Sequence, residues 1–294
     1  MVTVFAVQLT KLVVMRPHTR PERAAWLTGF CRQALRTVNV SWVAEGLVPM
    51  EGAVITNHLS YLDIVVHAAI RPCVFVSAIE TRKMPLIGWI SMMAGTVYVE
   101  RGGGGSAEKA AKGMAKGFRD GLPVVFFPEG GTFIGDEPVM PFHSGLLAEA
   151  LEAEAPVWPG FIRYEVSEAD RAEGKSARND VHWSTQTLLA HLWNFLGLRG
   201  VQAEVRFAEE PVEFSRAAYE DRKVAAAEAR EAVRKAGISD QGSGTTRAQF
   251  AEGCRSSYGA RSRRRTRPSY SCWYNDCCRS ALPLGSGPLC FLCF

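Results

Sequence analysis

Short apolar runs alternate with amphipathic stretches between residues 52 and 236 of this 294-residue chain. Runs such as 74–77 and 124–127 are short, rich in valine and phenylalanine, and typical of buried strands. The stretch 106–120 has helical periodicity, with Ser106 as candidate N-cap and Gly121 as its end. Strands that alternate with helices through short connections predict an α/β fold with a mostly parallel sheet flanked by helices. The predicted strands are 53–56, 74–77, 96–99, 124–127, 157–162 and 201–207, and the predicted helices are 61–70, 85–93, 106–120, 144–153, 182–196 and 217–236.

The region before this alternation has an amphipathic pattern of its own, which predicts a helix. No apolar run in the chain reaches the ~18 uninterrupted residues of a confident membrane span. The pattern leaves two interpretations open: the helix lies on a membrane surface, or it packs on the core of the domain. The apolar positions are Trp26, Leu27, Phe30, Leu35 and Val38, and the basic positions among them are Arg23, Arg32 and Arg36.

Composition changes sharply near residue 239. The whole chain is 47% hydrophobic and 22% charged, an ordinary globular composition, with a formal net charge of +4. Residues 1–239 contain 26 basic and 27 acidic side chains, which argues against a nucleic-acid-binding domain, and their two cysteines indicate a reducing compartment. Residues 240–294 contain 8 arginines, 3 acids and the other six cysteines, without sustained periodicity. We predict a basic, cysteine-rich and disordered tail over 239–294.

Three predicted strands are each followed at once by residues with functional chemistry. In a parallel sheet, ligands bind beyond the carboxyl ends of the strands. A base, a cation and an acid beside backbone amides are therefore expected to converge on one edge of the sheet. The residues are Asn57 and His58 after the first strand, Glu100 and Arg101 after the third, and Glu129 and Gly130 after the fourth.

His58 and Asp63 are the residue types of a general base and of the acid that orients it. Five residues apart on a continuous helix, they would lie about 140° from each other. They meet only if His58 lies in the turn before the helix and Asp63 in its first turn. Asp63 then stabilises the protonated imidazole, and His58 deprotonates a hydroxyl nucleophile. The alternative is structural, because Ser60 to Asp63 also fits a helix N-terminal capping pattern.

The run Glu129-Gly130-Gly131-Thr132 follows an apolar strand. Its glycines permit close backbone approach, so its amides are candidates for binding a phosphate or an oxyanion. An ordinary turn has the same composition. The chain contains no G-x-S-x-G motif, and its glycine run at 102–105 lacks the Lys-Ser/Thr of a P-loop. The cysteines of the tail do not form a paired zinc pattern.

Four ordered blocks resemble the glycerolipid acyltransferase family, typified by 1-acyl-glycerol-3-phosphate acyltransferase. Residues 57–63 match the family's N-H-x-x-x-x-D motif, and residues 95–101 match the block that ends in arginine. Residues 127–130 read F-P-E-G, residues 155–159 form an apolar segment with proline, and residues 140–145 fit the link between them. The resemblance covers roughly residues 20–236, and four blocks in order are a specific signal.

The resemblance implies acyl transfer from a thioester, acyl-CoA or acyl-carrier protein, to a lysolipid hydroxyl, without a metal ion, a further cofactor or a covalent intermediate. His58 is then the base and Asp63 holds it. The implied partners are the lysolipid acceptor, the acyl donor and a membrane surface, and nucleic acid is not among them. The residues assigned to substrate binding are Asn57, Arg101, Glu129, Gly130, Gly131 and Thr132.

Because a lysolipid lies in a bilayer, the resemblance favours the membrane-surface interpretation of the first helix. We therefore predict a helical membrane-contact segment over residues 1–45, an acyltransferase domain over 46–238 and the tail over 239–294. The protein is expected to be peripheral or monotopic, with its active site on the cytoplasmic face.

Two positions depart from the family pattern at places where relatives have cations that would help to bind a phosphate. Ala78 stands where many relatives have lysine, and Thr132-Phe133 stands where many have an arginine. The replacement cations available are Arg82, Lys83 and His143. The leading acceptor is 1-acyl-sn-glycerol-3-phosphate, which gives phosphatidic acid. The alternatives are another lysolipid, such as lyso-ornithine lipid or a lysophospholipid, and a catalytically silent lipid-binding membrane protein.

Overall fold

The computed structural model describes residues 6–7, 10, 14, 16–83, 87–100, 106–132, 137–184 and 186–238. From residue 53 to residue 166, helices and strands alternate as the sequence predicts. The strands are β1 (Val40–Glu45), β2 (Ala53–Ile55), β3 (Val74–Ala78), β4 (Val97–Val99), β5 (Val124–Phe126), β6 (Val157–Val166) and β7 (Val201–Phe207). The helices are α1 (Arg20–Thr37), α2 (Leu62–Ile70), α3 (Ile87–Met93), α4 (Ser106–Arg119), α5 (Gly145–Glu152), α6 (Glu168–Ala172), α7 (Ala177–Asp180), α8 (Leu188–Leu196), α9 (Arg216–Glu220) and α10 (Arg222–Ile238), and a 3-10 helix spans Ile79–Lys83.

The described strands form one sheet in the order β1-β7-β6-β2-β5-β3-β4. Neighbouring strands are parallel except β6 and β7, which are antiparallel. The central strands β2 and β5 are buried at every residue, as expected for parallel strands covered on both faces. The predicted fold class, an α/β fold with a mostly parallel sheet, is therefore confirmed.

Two apolar clusters cover the two faces of the sheet. Because side chains alternate along a strand, Val54 faces one cluster and Ile55 the other. The cluster around Val54 includes side chains of α1, α2 and α8. The cluster around Ile55 includes side chains of α4, α5 and α10. Helices on both faces leave the carboxyl ends of the central strands as the place for a site.

Helix α1 begins with a complete capping box. The Thr19 hydroxyl accepts the backbone N–H of Glu22, and the Glu22 carboxylate accepts that of Thr19. Trp26, Leu27 and Phe30 are buried in the cluster around Val54. These side chains match the packed-helix interpretation, so a membrane contact of segment 1–45 would have to use other residues.

Strand β1 also lies within residues 1–45. It pairs in parallel with β7, from Val40 opposite Val201 to Glu45 opposite Arg206. The sheet therefore includes residues 40–45, which we predicted to belong to the N-terminal segment and not to the domain. The apolar alternation we used as a strand signal is weak in β1, which has the sequence VSWVAE.

Two predicted helices differ from the structure. The helix expected over 182–196 begins only at Leu188, because the backbone N–H of Trp183 donates to Leu59 O at 2.9 Å instead of to a helical carbonyl. The helix expected over 217–236 is divided at Asp221, whose backbone is extended. The Asp221 side chain accepts the N–H of Lys223 at 2.7 Å and so caps α10.

Strand β6 is longer than the predicted 157–162. Its first part pairs with β2 as far as Pro159, and from Gly160 onward it pairs with β7. The second pairing lies beyond the end of β2. It therefore carries residues of β6 past the carboxyl edge of the central strands, beside the loop that follows β2.

Candidate active site

The carboxyl ends of β2 and β5 carry predicted site residues side by side. The two strands are parallel neighbours, with Ile55 opposite Phe126, so the residues that follow them leave the sheet at the same edge. There the backbone N–H of His58 donates to Glu129 Oε2 at 2.9 Å. The imidazole of His58 stacks on Phe127, with ring centroids 4.0 Å apart and planes inclined by 13°.

His58 lies in the loop before α2 and Asp63 in its first turn, the one placement in which the five-residue spacing brings them together. His58 Nδ1 is 2.8 Å from Asp63 Oδ2, and the side chains are 14% and 0% exposed. The same Oδ2 accepts the backbone N–H groups of Leu59 at 2.7 Å and Ser60 at 2.9 Å. Asp63 therefore has both of the roles that the sequence left open. It holds the imidazole of His58, and it accepts backbone N–H groups at the start of a helix.

Ser60 does not cap α2 with its side chain. The N-cap residue is Tyr61, which has helical backbone angles and makes no side-chain capping bond. Within the described ranges, Ser60 Oγ is buried without a hydrogen-bond partner. The capping pattern in the sequence is therefore carried by Asp63, which bonds back to the loop.

The donors around Asp63 determine where the proton of the pair lies. An oxygen that already receives two backbone N–H groups acts as an acceptor, so the third hydrogen bond comes from a proton on His58 Nδ1. Nε2 then carries the lone pair and is the basic atom of the ring. No group in the described part of the chain bonds to Nε2, which leaves it available to a substrate hydroxyl.

Glu129 is a buried carboxyl that joins two loops. Oε2 accepts the His58 N–H, and Oε1 accepts the Met140 N–H at 3.0 Å. Burial raises the pKa of Glu129 to about 7; the two backbone hydrogen bonds oppose this rise, and the nearby charge of Asp63 adds to it. The sequence assigned Glu129 to substrate binding, whereas here both of its oxygens hold backbone amides and position the His58 loop.

Asn57 is a second buried group that holds this loop. Its side-chain N–H donates to Ile162 O at 3.0 Å, and its side-chain oxygen accepts the Ile162 N–H at 2.8 Å. Both ends of the amide are therefore occupied by one residue of β6. We expected Asn57 to bind substrate, but its buried position and its two bonds make it a link between β2 and β6.

Gly130 occupies a turn that requires glycine. Its φ of +72° lies in the left-handed region, and a Cβ there would lie 2.7 Å from His143 Cδ2. Its backbone N–H donates to Phe127 O at 3.1 Å, as in the ordinary-turn alternative. Gly131 and Thr132 follow it and are half-buried.

The cations predicted near the acceptor are only partly described. Arg101 lies outside the described residues. Ala78 ends β3, and the 3-10 helix after it carries Arg82, whose guanidinium lies 5.9 Å from the ring centroid of Tyr98 on β4. Of the candidate replacements, Arg82 is thus held at the carboxyl ends of β3 and β4, and His143 lies against Gly130.

Sequence reasoning missed three contacts that support the site. Tyr164 donates its hydroxyl to Asp63 Oδ1 at 2.6 Å. Tyr61 OH lies 3.2 Å from His191 Nδ1, and His191 Nε2 lies 3.0 Å from His182 O. Tyr164 has the period-two spacing of any buried strand residue, and nothing in the sequence pairs it with a residue 101 positions earlier.

The described ranges contain neither a metal-ligand cluster nor a membrane-crossing helix. No three His, Cys, Asp or Glu side chains in these ranges are grouped so as to hold a metal ion. None of the described helices combines the length and the apolar character needed to cross a bilayer.

Comparison with known proteins finds similar acyltransferases. A model of the family described as Acyltransferase matches residues 45–163. The chain is 34% identical over 177 residues to the lyso-ornithine lipid O-acyltransferase of Pseudomonas aeruginosa, and the aligned region covers 60% of this chain and 64% of that protein. It is 31% identical over 196 residues to the protein of the same name from Rhodobacter capsulatus, which covers 64% and 68%. A 1-acyl-sn-glycerol-3-phosphate acyltransferase of Neisseria gonorrhoeae is 29% identical over 154 residues, which covers 52% and 58%.

A solved structure shares the fold. The crystal structure of the 1-acyl-sn-glycerophosphate acyltransferase from Thermotoga maritima matches 82% of this chain and 90% of its own, with a TM-score of 0.53 and 18% sequence identity. At this identity the similarity establishes the fold alone. The chain spans less than two thirds of the Pseudomonas and Neisseria relatives and 68% of the Rhodobacter one.

Proposed function

The chain belongs to the acyltransferase family, and from this premise we propose that it transfers an acyl group from a thioester donor to the free hydroxyl of a lysolipid. Family membership confirms the resemblance that the four sequence blocks indicate. The observation that carries the proposed reaction is the 2.8 Å contact between His58 and Asp63, in which Nε2 of a partly exposed imidazole remains available. A protein that only binds lipid has no need of a base beside its orienting acid.

In the proposed mechanism, His58 Nε2 accepts the proton of the lysolipid hydroxyl while Asp63 holds Nδ1–H and stabilises the imidazolium. The oxygen attacks the thioester carbonyl and forms a tetrahedral intermediate. Its collapse forms the ester bond and breaks the carbon–sulfur bond, and the departing thiolate takes the proton from Nε2. The enzyme returns to its starting state without a covalent intermediate.

The donor in this proposal is acyl-CoA or acyl-carrier protein, each acting as a substrate. Among the residues we assigned to substrate, Gly131 and Thr132 follow the Phe127–Gly130 turn, and Arg101 follows β4. We propose that these three positions contact the acceptor headgroup. Asn57, Glu129 and Gly130 contribute by holding the loops that carry His58 and this headgroup site.

Two observations favour lyso-ornithine lipid as the acceptor. The Pseudomonas and Rhodobacter relatives carry that name, and Ala78 and Thr132 lack the cations expected for a phosphate monoester. One observation supports the acceptor ranked first by sequence, 1-acyl-sn-glycerol-3-phosphate, because Arg82 lies at the carboxyl end of β3. Both candidate acceptors are lysolipids with a free hydroxyl, which is the group that the proposed reaction acylates.

We propose that the protein associates peripherally with the cytoplasmic face of a membrane, where such acceptors lie. Helix α8 supports this. Leu189 and Trp193 are 80% exposed and Leu196 is 47% exposed, and their spacing places them on one helix face. His191 is buried on the other side, where it contacts Tyr61 next to the start of α2. The buried side of α8 is therefore joined to the segment between His58 and α2.

The test is an acyl-transfer assay on the detergent-solubilised protein. Labelled acyl-CoA and acyl-carrier protein are supplied with a panel of acceptors that includes lyso-ornithine lipid and 1-acyl-sn-glycerol-3-phosphate. We expect product from a lysolipid and at least a 1000-fold loss in His58→Ala, of the order seen when a general base is removed. A His58→Ala variant with near-normal turnover contradicts the mechanism, and lipid binding without transfer to any acceptor supports a silent binding protein.

A further inference from the structure

Tyr164 provides a buried hydrogen bond to the carboxylate that holds His58. Its hydroxyl lies 2.6 Å from Asp63 Oδ1, and the two residues are 6% and 0% exposed. The other carboxylate oxygen, Oδ2, receives His58 Nδ1 and two backbone N–H groups. Each oxygen of Asp63 thus has its own set of donors, and Tyr164 is the donor that the described residues supply to Oδ1.

The position of Tyr164 is fixed by strand pairing. It lies opposite Ala203 in the antiparallel part of β6 and β7. Two residues earlier, Ile162 makes both backbone bonds to Asn57, which precedes His58. The strand that carries Tyr164 is therefore joined directly to the loop that carries the proposed base, so the tyrosine and His58 are held on opposite sides of one carboxylate.

The direction of the Tyr164 hydrogen bond is determined by charge. Burial, followed by the negative charge of Asp63, raises the pKa of Tyr164 well above its ordinary value. The phenol therefore keeps its proton, and an ionised carboxylate can only accept it. Hydrogen bonds from neutral donors to a buried carboxylate are short and strong, in agreement with the distance of 2.6 Å.

We propose that Tyr164 is a positioning residue for the acyl transfer proposed above, on which this inference rests: its hydroxyl fixes the rotation of the Asp63 carboxylate and draws part of its negative charge away from His58. The first effect keeps Oδ2 in line with Nδ1. The second limits how strongly Asp63 stabilises the imidazolium that forms when Nε2 accepts the proton of the lysolipid hydroxyl.

Other titratable groups lie near His58 and Asp63, but among the described residues only Tyr164 donates a hydrogen bond to Asp63 Oδ1. Glu129 accepts the backbone N–H of His58 and touches neither Asp63 oxygen. On α2, burial lowers the pKa of His67 to about 4, and burial also lowers the pKa of His182, so both rings are neutral near pH 7. Burial raises the pKa of Tyr61 to about 12. Arg230 donates a hydrogen bond to Met140 O, and its positive charge opposes the rise in the pKa of Glu129.

The experiment compares Tyr164→Phe with the unsubstituted enzyme. Phenylalanine retains the ring and removes the hydroxyl. We expect kcat to fall about 10- to 100-fold, the size of one hydrogen bond to a charged group, with little change in KM, because Tyr164 does not face substrate. The acid limb of the kcat/KM profile should move to higher pH, since an Asp63 with one donor fewer stabilises the imidazolium more. A loss of packing alone lowers activity without moving that limb.

Tyr61→Phe is the matched control, since its hydroxyl contacts His191 instead of Asp63. We expect its acid limb to coincide with that of the unsubstituted enzyme. Thermal unfolding of both variants checks that they fold. An acid limb that stays in place in Tyr164→Phe, or moves equally in Tyr61→Phe, contradicts the proposal.

An NMR titration of the histidine ring signals separates this proposal from the proposed function. The His58 signal is assigned as the one missing in His58→Ala, and its pH midpoint should rise in Tyr164→Phe. This readout needs no acyl donor or acceptor. A shifted midpoint in a protein that transfers no acyl group supports the role of Tyr164 toward His58 while the acyltransferase proposal fails. An unchanged midpoint overturns the role of Tyr164.

Discussion

At the scale of single residues, the carboxyl of Glu129 makes folding depend on pH. Its pKa is raised from 4.5 to about 7 by burial, so between these values the native state binds a proton that the unfolded state has lost. Stability contributed by a group of this kind is present below the unfolded pKa and is lost as pH rises through the folded one. The shift corresponds to about 3 kcal/mol in total.

We predict that Glu129→Gln removes this pH dependence. Between pH 5 and pH 8, the free energy of unfolding of the unsubstituted protein should fall by about 2 to 3 kcal/mol more than that of the variant. Urea unfolding in one detergent buffer at the two pH values measures the difference. Glu165→Gln, at an exposed position on β6, is the matched control and should behave as the unsubstituted protein. Equal slopes in Glu129→Gln and the control would refute the raised pKa.

The site residues differ in how far the sequence could predict them. The spacing of His58 and Asp63 is local, and only one backbone arrangement brings the two side chains together, so their contact was predictable. The roles of Asn57 and Glu129 were not, because each bonds to backbone atoms more than 10 residues away. A sequence motif names the residue type at such positions without telling whether it faces substrate or the protein.

At the scale of secondary-structure elements, Asn57 joins the end of β2 to β6. The bonds form with Ile162 beyond the last residue pair of the two strands, Ile55 and Pro159. A side-chain amide thus replaces one step of backbone pairing. Because the next residue is His58, the same link sets where the proposed base leaves the sheet.

Asn57→Ala is expected to leave both backbone groups of Ile162 buried without partners. Each such group costs about 1 to 3 kcal/mol, so we expect the free energy of unfolding to decrease by about 2 to 5 kcal/mol and kcat to fall. Urea unfolding measures the first and the transfer assay the second. Asn194→Ala, at an exposed position on α8, is the control. Full stability with a raised KM would instead favour the substrate-binding role we first assigned to Asn57.

Element boundaries were predictable where the apolar pattern is strong and local. Strands β2, β3, β4, β5 and β7 appear within one residue of their predicted bounds. The stretch 182–187 is rich in serine and threonine, which are weak helix formers, and the backbone N–H of Trp183 donates to Leu59 instead of to a helical carbonyl. The helix is divided at Asp221 because the Asp221 side chain accepts the backbone N–H of Lys223. An aspartate within a helical pattern is able to make such a local bond, but its presence in the sequence does not show that the bond forms.

At the scale of the whole molecule, the edge of the sheet that carries His58 is joined to helix α8. Trp183 bonds to Leu59, and His191 bonds to Tyr61, so the segment that carries α8 is attached to the loop between His58 and α2. Exposed tryptophan and leucine on one helix face favour the boundary between lipid headgroups and acyl chains. The exposure of these two side chains is the reason we propose α8 as the membrane contact.

We predict that replacing Leu189 and Trp193 by serine weakens membrane binding and interfacial catalysis together. Burying each side chain contributes about 1.5 to 3 kcal/mol, so partitioning into phosphatidylethanolamine and phosphatidylglycerol vesicles should fall by at least about tenfold. Flotation measures the binding, and the rate on vesicle-bound acceptor should fall in parallel. The rate on a short-chain acceptor dissolved in detergent should not change, because neither side chain touches the His58–Asp63 pair. Asn194→Ser, on the same helix, is the control. If vesicle binding is unaffected in the double variant, the membrane contact lies elsewhere, and the segment 1–45 becomes the place to test next.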